Sequence, residues 1–184
     1  MNNFTVEDFI EERCATGRSI SFVVTGDPFS QARARIAQSR APPAYRMRPH
    51  MYDPSSRQKI AYANIVRTTM QQYGLNTPYF AADEPITIRV QFVLPRRRQD
   101  LQSYGGNTVL SPDAQGFPRN KDIDNMLKFV MDALQGVLYE NDVTITKAIV
   151  SKLFSVDADA VGWTDVRFSS SSQAPSLAVV RVRI

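Results

Sequence analysis

Apolar and polar positions alternate most cleanly over residues 85–94. Ile86, Ile88, Val90, Phe92 and Leu94 fall on one face, Thr87, Arg89 and Gln91 on the other. A period of two predicts a strand with one buried face. Further on the period lengthens. Met126, Leu127, Val130, Ala133, Leu134 and Val137 recur at helical spacing, which predicts an amphipathic helix over about 124–135, with Asp124 or Asn125 as N-cap and Gly136 near its stop. A second helix is expected over about 55–73, with Ile60, Ala63, Val66 or Arg67, Met70 and Tyr73 near one face and Gly74 ending it. Strands are expected at 19–25, from Asp142 to about 156, and at 177–184. Residues 5–16 read as a short helix, because Thr5 to Asp8 resembles a capping box and Gly17 follows.

The remaining stretches read as loops. Pro42, Pro43, Pro49 and Pro54 forbid a long helix over 29–54. Residues 95–121 hold Arg96, Arg97, Arg98, Gly105, Gly106, Pro112 and Pro118; a loop of that length in a compact domain is usually functional, and a substrate-gripping role is expected of it. Residues 157–176 are polar and read as an insert loop docked by Trp163. Together these elements predict one α+β domain over 1–184: a mixed four-stranded sheet, two principal helices, an appended helix within 1–18 and the insert at 157–176.

Composition narrows the chemistry. His50 and Cys14 are the chain's single histidine and cysteine, which excludes an intramolecular disulfide and zinc clusters. Catalysis must then use carboxylates, lysine or a metal held by oxygen. No 18-residue apolar run suggests a membrane span. The acidic N-terminal stretch with Glu7, Asp8, Glu11 and Glu12 is unlike an export signal, so the expected location is intracellular, cytoplasmic or nucleoid in a bacterial or phage setting. Net charge is +4, but the distribution says more. Arg33, Arg35, Arg40, Arg46, Arg48, Arg57 and Lys59 face the single acid Asp53, a local excess of +6. That concentration is the footprint of a polyanionic partner, and arginine favours forked recognition of phosphate. Tyr45, Met47 and Tyr52 interleave with these arginines, a pattern that suits backbone contact with base stacking.

The 119–142 segment concentrates the candidate chemistry. Asp122 and Asp124 flank one isoleucine ahead of the predicted helix. If that segment is extended, both carboxylates aim at one point, near a helix N-terminus that favours anions. Lys128 and Asp132 lie one and two turns beyond Asp124 on the same polar face. Asp142 returns at the start of the next strand. Three converging carboxylates repel, and a hard divalent ion, Mg²⁺ first, resolves the conflict. Helix and turn capping is the competing use of the same aspartates.

At these residues the chain resembles the RusA family of Holliday junction resolvases. The family pattern Lys/Arg-x-Asp-x-Asp-Asn-x-x-Lys, then Asp-Ala-Leu, then a turn with a further Asp, reads here as Lys121, Asp122, Asp124, Asn125, Lys128, Asp132-Ala133-Leu134 and Asp142. The family usually has two adjacent acids in that turn, where this chain has Asn141-Asp142, leaving Glu140 as the alternative to Asp142. Gly26-Asp27-Pro28 with Arg33 and Arg35, and Tyr52-Asp53-Pro54, extend the likeness over roughly 20–155. The resemblance implies Asp122, Asp124 and Asp142 as metal ligands, Lys128 as the catalytic lysine, and a RusA-like fold. It implies a homodimer that resolves four-way DNA junctions by paired nicks with Mg²⁺, for which Mn²⁺ substitutes. Arg33, Arg35, Arg40, Arg46, Arg48 and Lys121 are the expected nucleic-acid contacts. The alternative is a non-catalytic DNA-binding protein on the same scaffold; a phosphohydrolase of small phosphates leaves the basic segment unexplained.

Overall fold

The computed structural model describes residues 4–14, 17–37, 50–156 and 161–171. In chain order the elements are β1 (Thr5–Cys14), β2 (Gly17–Thr25), β3 (Arg35–Ala37), β4 (His50–Tyr52), α1 (Ser56–Gln72), β5 (Ile86–Leu94), β6 (Leu101–Tyr104), β7 (Asn107–Leu110), α2 (Ile123–Leu134), β8 (Ile145–Phe154) and β9 (Trp163–Ser171). The main sheet runs β1-β2-β9-β5-β8. Its neighbours are antiparallel except β5 and β8, which pair in parallel. A parallel pair needs a crossover, and α2 supplies it. The fold is α+β with a mixed sheet, as the periodicities predict, but with five strands among the described residues rather than four.

One face of the sheet is apolar. Ile20, Phe22 and Val24 of β2, Ile86, Ile88, Val90 and Phe92 of β5, and Val166 and Phe168 of β9 are buried in one cluster with both helices. From α2 the cluster takes Met126, Phe129, Val130, Ala133 and Leu134. Gly136 ends that helix at φ 75° and donates to the Tyr139 carbonyl, a left-handed conformation that glycine adopts without strain. From α1 the buried residues are Tyr62, Val66 and Met70. Ile60 and Tyr73 are 60% and 61% exposed, so the predicted face is rotated; the i, i+4, i+8 row that starts at Tyr62 is the one that meets Phe4 and Phe129. No helix among the described residues is long and apolar enough to cross a membrane.

Three sequence expectations are corrected. Residues 5–14 are not a helix but the edge strand β1, hydrogen-bonded to β2 with a bulge between Glu7 and Ile10. A lone 12-residue helix is marginal in water, whereas β2 offers a full ladder, and Phe9 gains stacked contact with Tyr73 at 4.8 Å. The supposed insert at 157–176 contains β9, which sits at the middle of the sheet. Thr164, Val166, Phe168 and Ser170 alternate inward, and small hydroxyl residues at the strand's core positions masked the period. The loop 95–121 contains the β6–β7 hairpin, turned by Gly105 and Gly106 at φ 57° and 81°, as a two-residue hairpin turn of this hand requires. The expected strand at 177–184 lies outside the described residues.

Two packing details tie distant parts together. The Gly162 carbonyl accepts from Gly26 N–H at 2.8 Å, and a Cβ at Gly162 would meet Pro28 Cδ at 2.8 Å, Pro95 Cδ at 2.9 Å and the Val93 carbonyl at 3.0 Å. Arg18 lies over Tyr79 and Phe80 and chelates Glu84. Burial pushes Glu84 up, but the Arg18 guanidinium, Ser170 and the Ala81 N–H overrule it and hold the carboxyl at about 2.

Gly162→Ala is expected to lower stability by about 1–3 kcal/mol through overpacking of Pro28 and Pro95, read as an earlier urea midpoint. The Arg18–Glu84 pair is expected to contribute about 1–2 kcal/mol after discounting for its partial exposure. Because the folded carboxyl titrates below its unfolded value of 4.5, that contribution is full above pH 4.5 and fades as pH falls toward 2. The melting-temperature gap between wild type and Glu84→Gln should therefore close on acidification.

Candidate active site and nucleic-acid interface

The apolar stripe of α2 fixes where its polar residues stand. Asp122 is the N-cap residue at φ −75°, ψ 133°, and Ile123 is already helical. Asp122 and Asp124 therefore do not share one extended segment, as the sequence suggested; one stands at the cap and the other in the first turn. Asp122 makes no side-chain capping bond, and among the described residues its carboxylate accepts only a long 3.4 Å bond from Asn125 Nδ2. Asp124 and Lys128 are exposed. Two solvent-facing carboxylates that leave the helix N–H groups alone are not acting as caps, which removes the bland use of these residues.

Asp142 sits elsewhere. Lys152, late in β8, donates to the Lys121 carbonyl just ahead of α2, and Tyr139, shortly before β8, donates to the Met131 carbonyl at 2.6 Å. Helix and strand thus run in opposite directions, and Asp142 lies toward the C-terminal half of α2. Burial, with the Asp142 and Asp132 carboxylates adding to it, raises the Tyr139 hydroxyl well above its ordinary range. From Asp124 to Met131 is about 10 Å of helix axis at 1.5 Å per residue. Among the described residues no group of three or more His, Cys, Asp or Glu is placed to hold a metal ion. Asn141, not Asp142, caps the short 3-10 turn, accepting from Val143 N–H at 3.2 Å. Glu140 is exposed in the same turn.

Around this helix a polar frame is closed. The loop after β2 bonds to α2 through Gln31 N–H to the Asn125 carbonyl, 3.0 Å, and to the start of α1 through Ala32 N–H to Ser55 Oγ, 3.0 Å. Lys59 bridges Asp53 and Asp132, each at 2.7 Å, and Gln31 Nε2 joins Asp132 at 3.0 Å. Burial works against the Lys59 charge, yet the two carboxylates raise its pKa above the ordinary value. Burial likewise pushes Asp53 up, and Lys59 with the Ser55 N–H brings it below the usual carboxylate value. Sequence reading missed this bridge because its partners are 73 residues apart and share no period.

The basic residues divide. Arg33 and Arg35 are exposed, Arg35 on the β3–β4 ribbon. Arg40, Arg46 and Arg48 lie outside the described residues. Lys121 is half-buried and directed at Asp27 and the Pro28 carbonyl. Of the triple arginine, Arg96 bonds the Ser155 and Gln115 carbonyls and lies over Phe154. Arg97 forks onto Asp100 at 2.7 and 2.9 Å, leaving Arg98 exposed. Most of the expected grip is spent on holding the base of the hairpin.

The family model of endodeoxyribonuclease RusA matches residues 25–161, from the end of β2 through α2 and β8. No curated protein matches the chain.

If Arg33 and Arg35 meet phosphates, Arg33→Ala and Arg35→Ala should each flatten the log-log salt dependence of DNA affinity by about one unit. Titrations of a duplex arm between low and moderate salt give the slope, and an unchanged slope removes the residue from the interface.

Proposed function

The chain belongs to the RusA family of endodeoxyribonucleases, and from that premise we propose that it is a Mg²⁺-dependent enzyme that resolves four-way DNA junctions by paired nicks as an intracellular homodimer. The observation that carries this reading is the N-terminus of α2, where Asp122 and Asp124 present uncapped carboxylates and Lys128 stands exposed one turn beyond Asp124. All-oxygen donors fit a hard divalent ion that keeps part of its water. Asp122 and Asp124 would hold it, with Asp142 as the third ligand, and Mn²⁺ would substitute. When bound, the ion supplies charge stabilisation at a phosphoryl oxygen and a more acidic water. Lys128 brings its ammonium to the oxygen on which charge builds during in-line displacement. Arg33 and Arg35 contact the arms, with Arg40, Arg46 and Arg48 as further expected contacts.

The position of Asp142 supports the homodimer. Within one protomer it stands well along α2 from Asp122 and Asp124, while a two-fold axis across that helix would set the two copies antiparallel and exchange the ends. Each site would then draw its first two carboxylates from one copy and the third from the other. Two such sites match the two-fold symmetry of a four-way junction.

Asp122→Asn, Asp124→Asn and Asp142→Asn should each abolish cleavage of a synthetic four-way junction while junction binding persists in a gel-shift assay. Lys128→Arg keeps the charge but changes its reach, and a rate loss on the order of 10²-fold is expected. Mixing the Asp124→Asn and Asp142→Asn proteins should restore part of the activity if sites are shared between copies. Normal cutting by all four single variants would reduce the cluster to a surface feature and end the resolvase reading.

A further inference from the structure

Lys128 has a carboxylate one helical turn away on either side, Asp124 before it and Asp132 after it. Residues four apart on a helix are neighbours, and opposite charges at that spacing attract. Lys128 nonetheless makes no ion pair among the described residues. Asp132 is already taken: its Oδ2 accepts from Lys59 Nζ at 2.7 Å and from Gln31 Nε2 at 3.0 Å. The Lys59 side chain is only 13% exposed and is held from its other side by Asp53 at 2.7 Å. Lys59 stands in the first turn of α1, so the bridge crosses from one helix to the other.

We propose that Lys59 is a positioning residue for the nicking reaction: with Gln31 it occupies Asp132 and so keeps that carboxylate from drawing Lys128 out of the site. The inference rests on the resolvase reading for its consequence, but not for its geometry. Remove the Lys59 charge, and Asp132 becomes an anion without its ion pair, with the Lys128 ammonium one turn back on the same face. The ammonium then turns toward the C-terminal half of α2, away from Asp122 and Asp124. That effect vanishes if Asp132 loses its charge as well, which a purely structural strut between helices does not predict.

The test uses the full chain as wild type, Lys59→Met, Lys59→Arg and the double variant Lys59→Met/Asp132→Asn, each checked by thermal melting, with Lys59→Gln replacing Lys59→Met if the latter is unfolded. Four-way junction cleavage is measured at saturating substrate. Lysine-ammonium NMR reports whether the Lys128 Nζ is engaged. Lys59→Met should cleave about tenfold more slowly, the factor that 1.4 kcal/mol represents, with little change in KM. Its Lys128 ammonium should show slowed hydrogen exchange. Lys59→Arg and the double variant should recover to within about threefold of wild type, the remainder being the usual scatter of coupled substitutions. Unchanged cleavage by Lys59→Met, or a double variant no faster than it, overturns the proposal and leaves Lys59 a strut. If the wild type does not cut junctions, the resolvase reading falls, and the Lys128 ammonium signal alone decides whether Asp132 captures it.

Discussion

Burial of one face of α2 is the constraint on which the rest depends. Phe129 stacks on Phe29 at 5.4 Å and meets Tyr62 edge-on at 5.8 Å, so a single ring joins the helix to the loop after β2 and to α1. Each such side chain contributes about 1.5–3 kcal/mol by leaving water. Rotation of α2 about its axis would expose Phe129, Val130 and Leu134 together, and nothing on the polar face could offset that. The directions of Asp124, Lys128 and Asp132 are therefore set by residues that take no part in any chemistry.

The same physical logic separates what was legible in the sequence from what was not. The strand at 86–94 and the helix over 123–134 were readable because one apolar face against one polar face leaves a strict period. β9 was not, because Thr164 and Ser170 fill inward positions where the neighbouring strands supply the bulk. β1 was misread because capping-like residues are cheap in sequence and a neighbour's backbone ladder is invisible there. The aspartate cluster was legible as a motif in Asp122, Asp124 and Lys128. Its geometry was not, since the Asn125 carbonyl is held by Gln31 N–H of the loop after β2, far away in sequence.

Counting arginines overstated the surface available to a polyanion. Arg18, Arg96 and Arg97 are engaged by Glu84, by backbone carbonyls and by Asp100. An arginine fork that satisfies a buried acid or a row of carbonyls is a structural part, whatever its contribution to net charge. Arg33, Arg35, Arg57 and Arg98 are the exposed arginines among the described members of the two basic runs.

β9 also sets the order in which the molecule can come into being. It lies between β2 and β5, and Arg18 meets Ser170 across 152 residues of sequence. Closing so long a loop precedes any reward from the contacts it makes, which slows folding. As the chain leaves the ribosome, β2, α1, β5 and α2 emerge first, with no partner yet to join the two halves of the sheet. The surface under α2 is complete only after residue 171 has appeared, so a nascent chain already carrying every one of its candidate catalytic aspartates still lacks the platform that aims them.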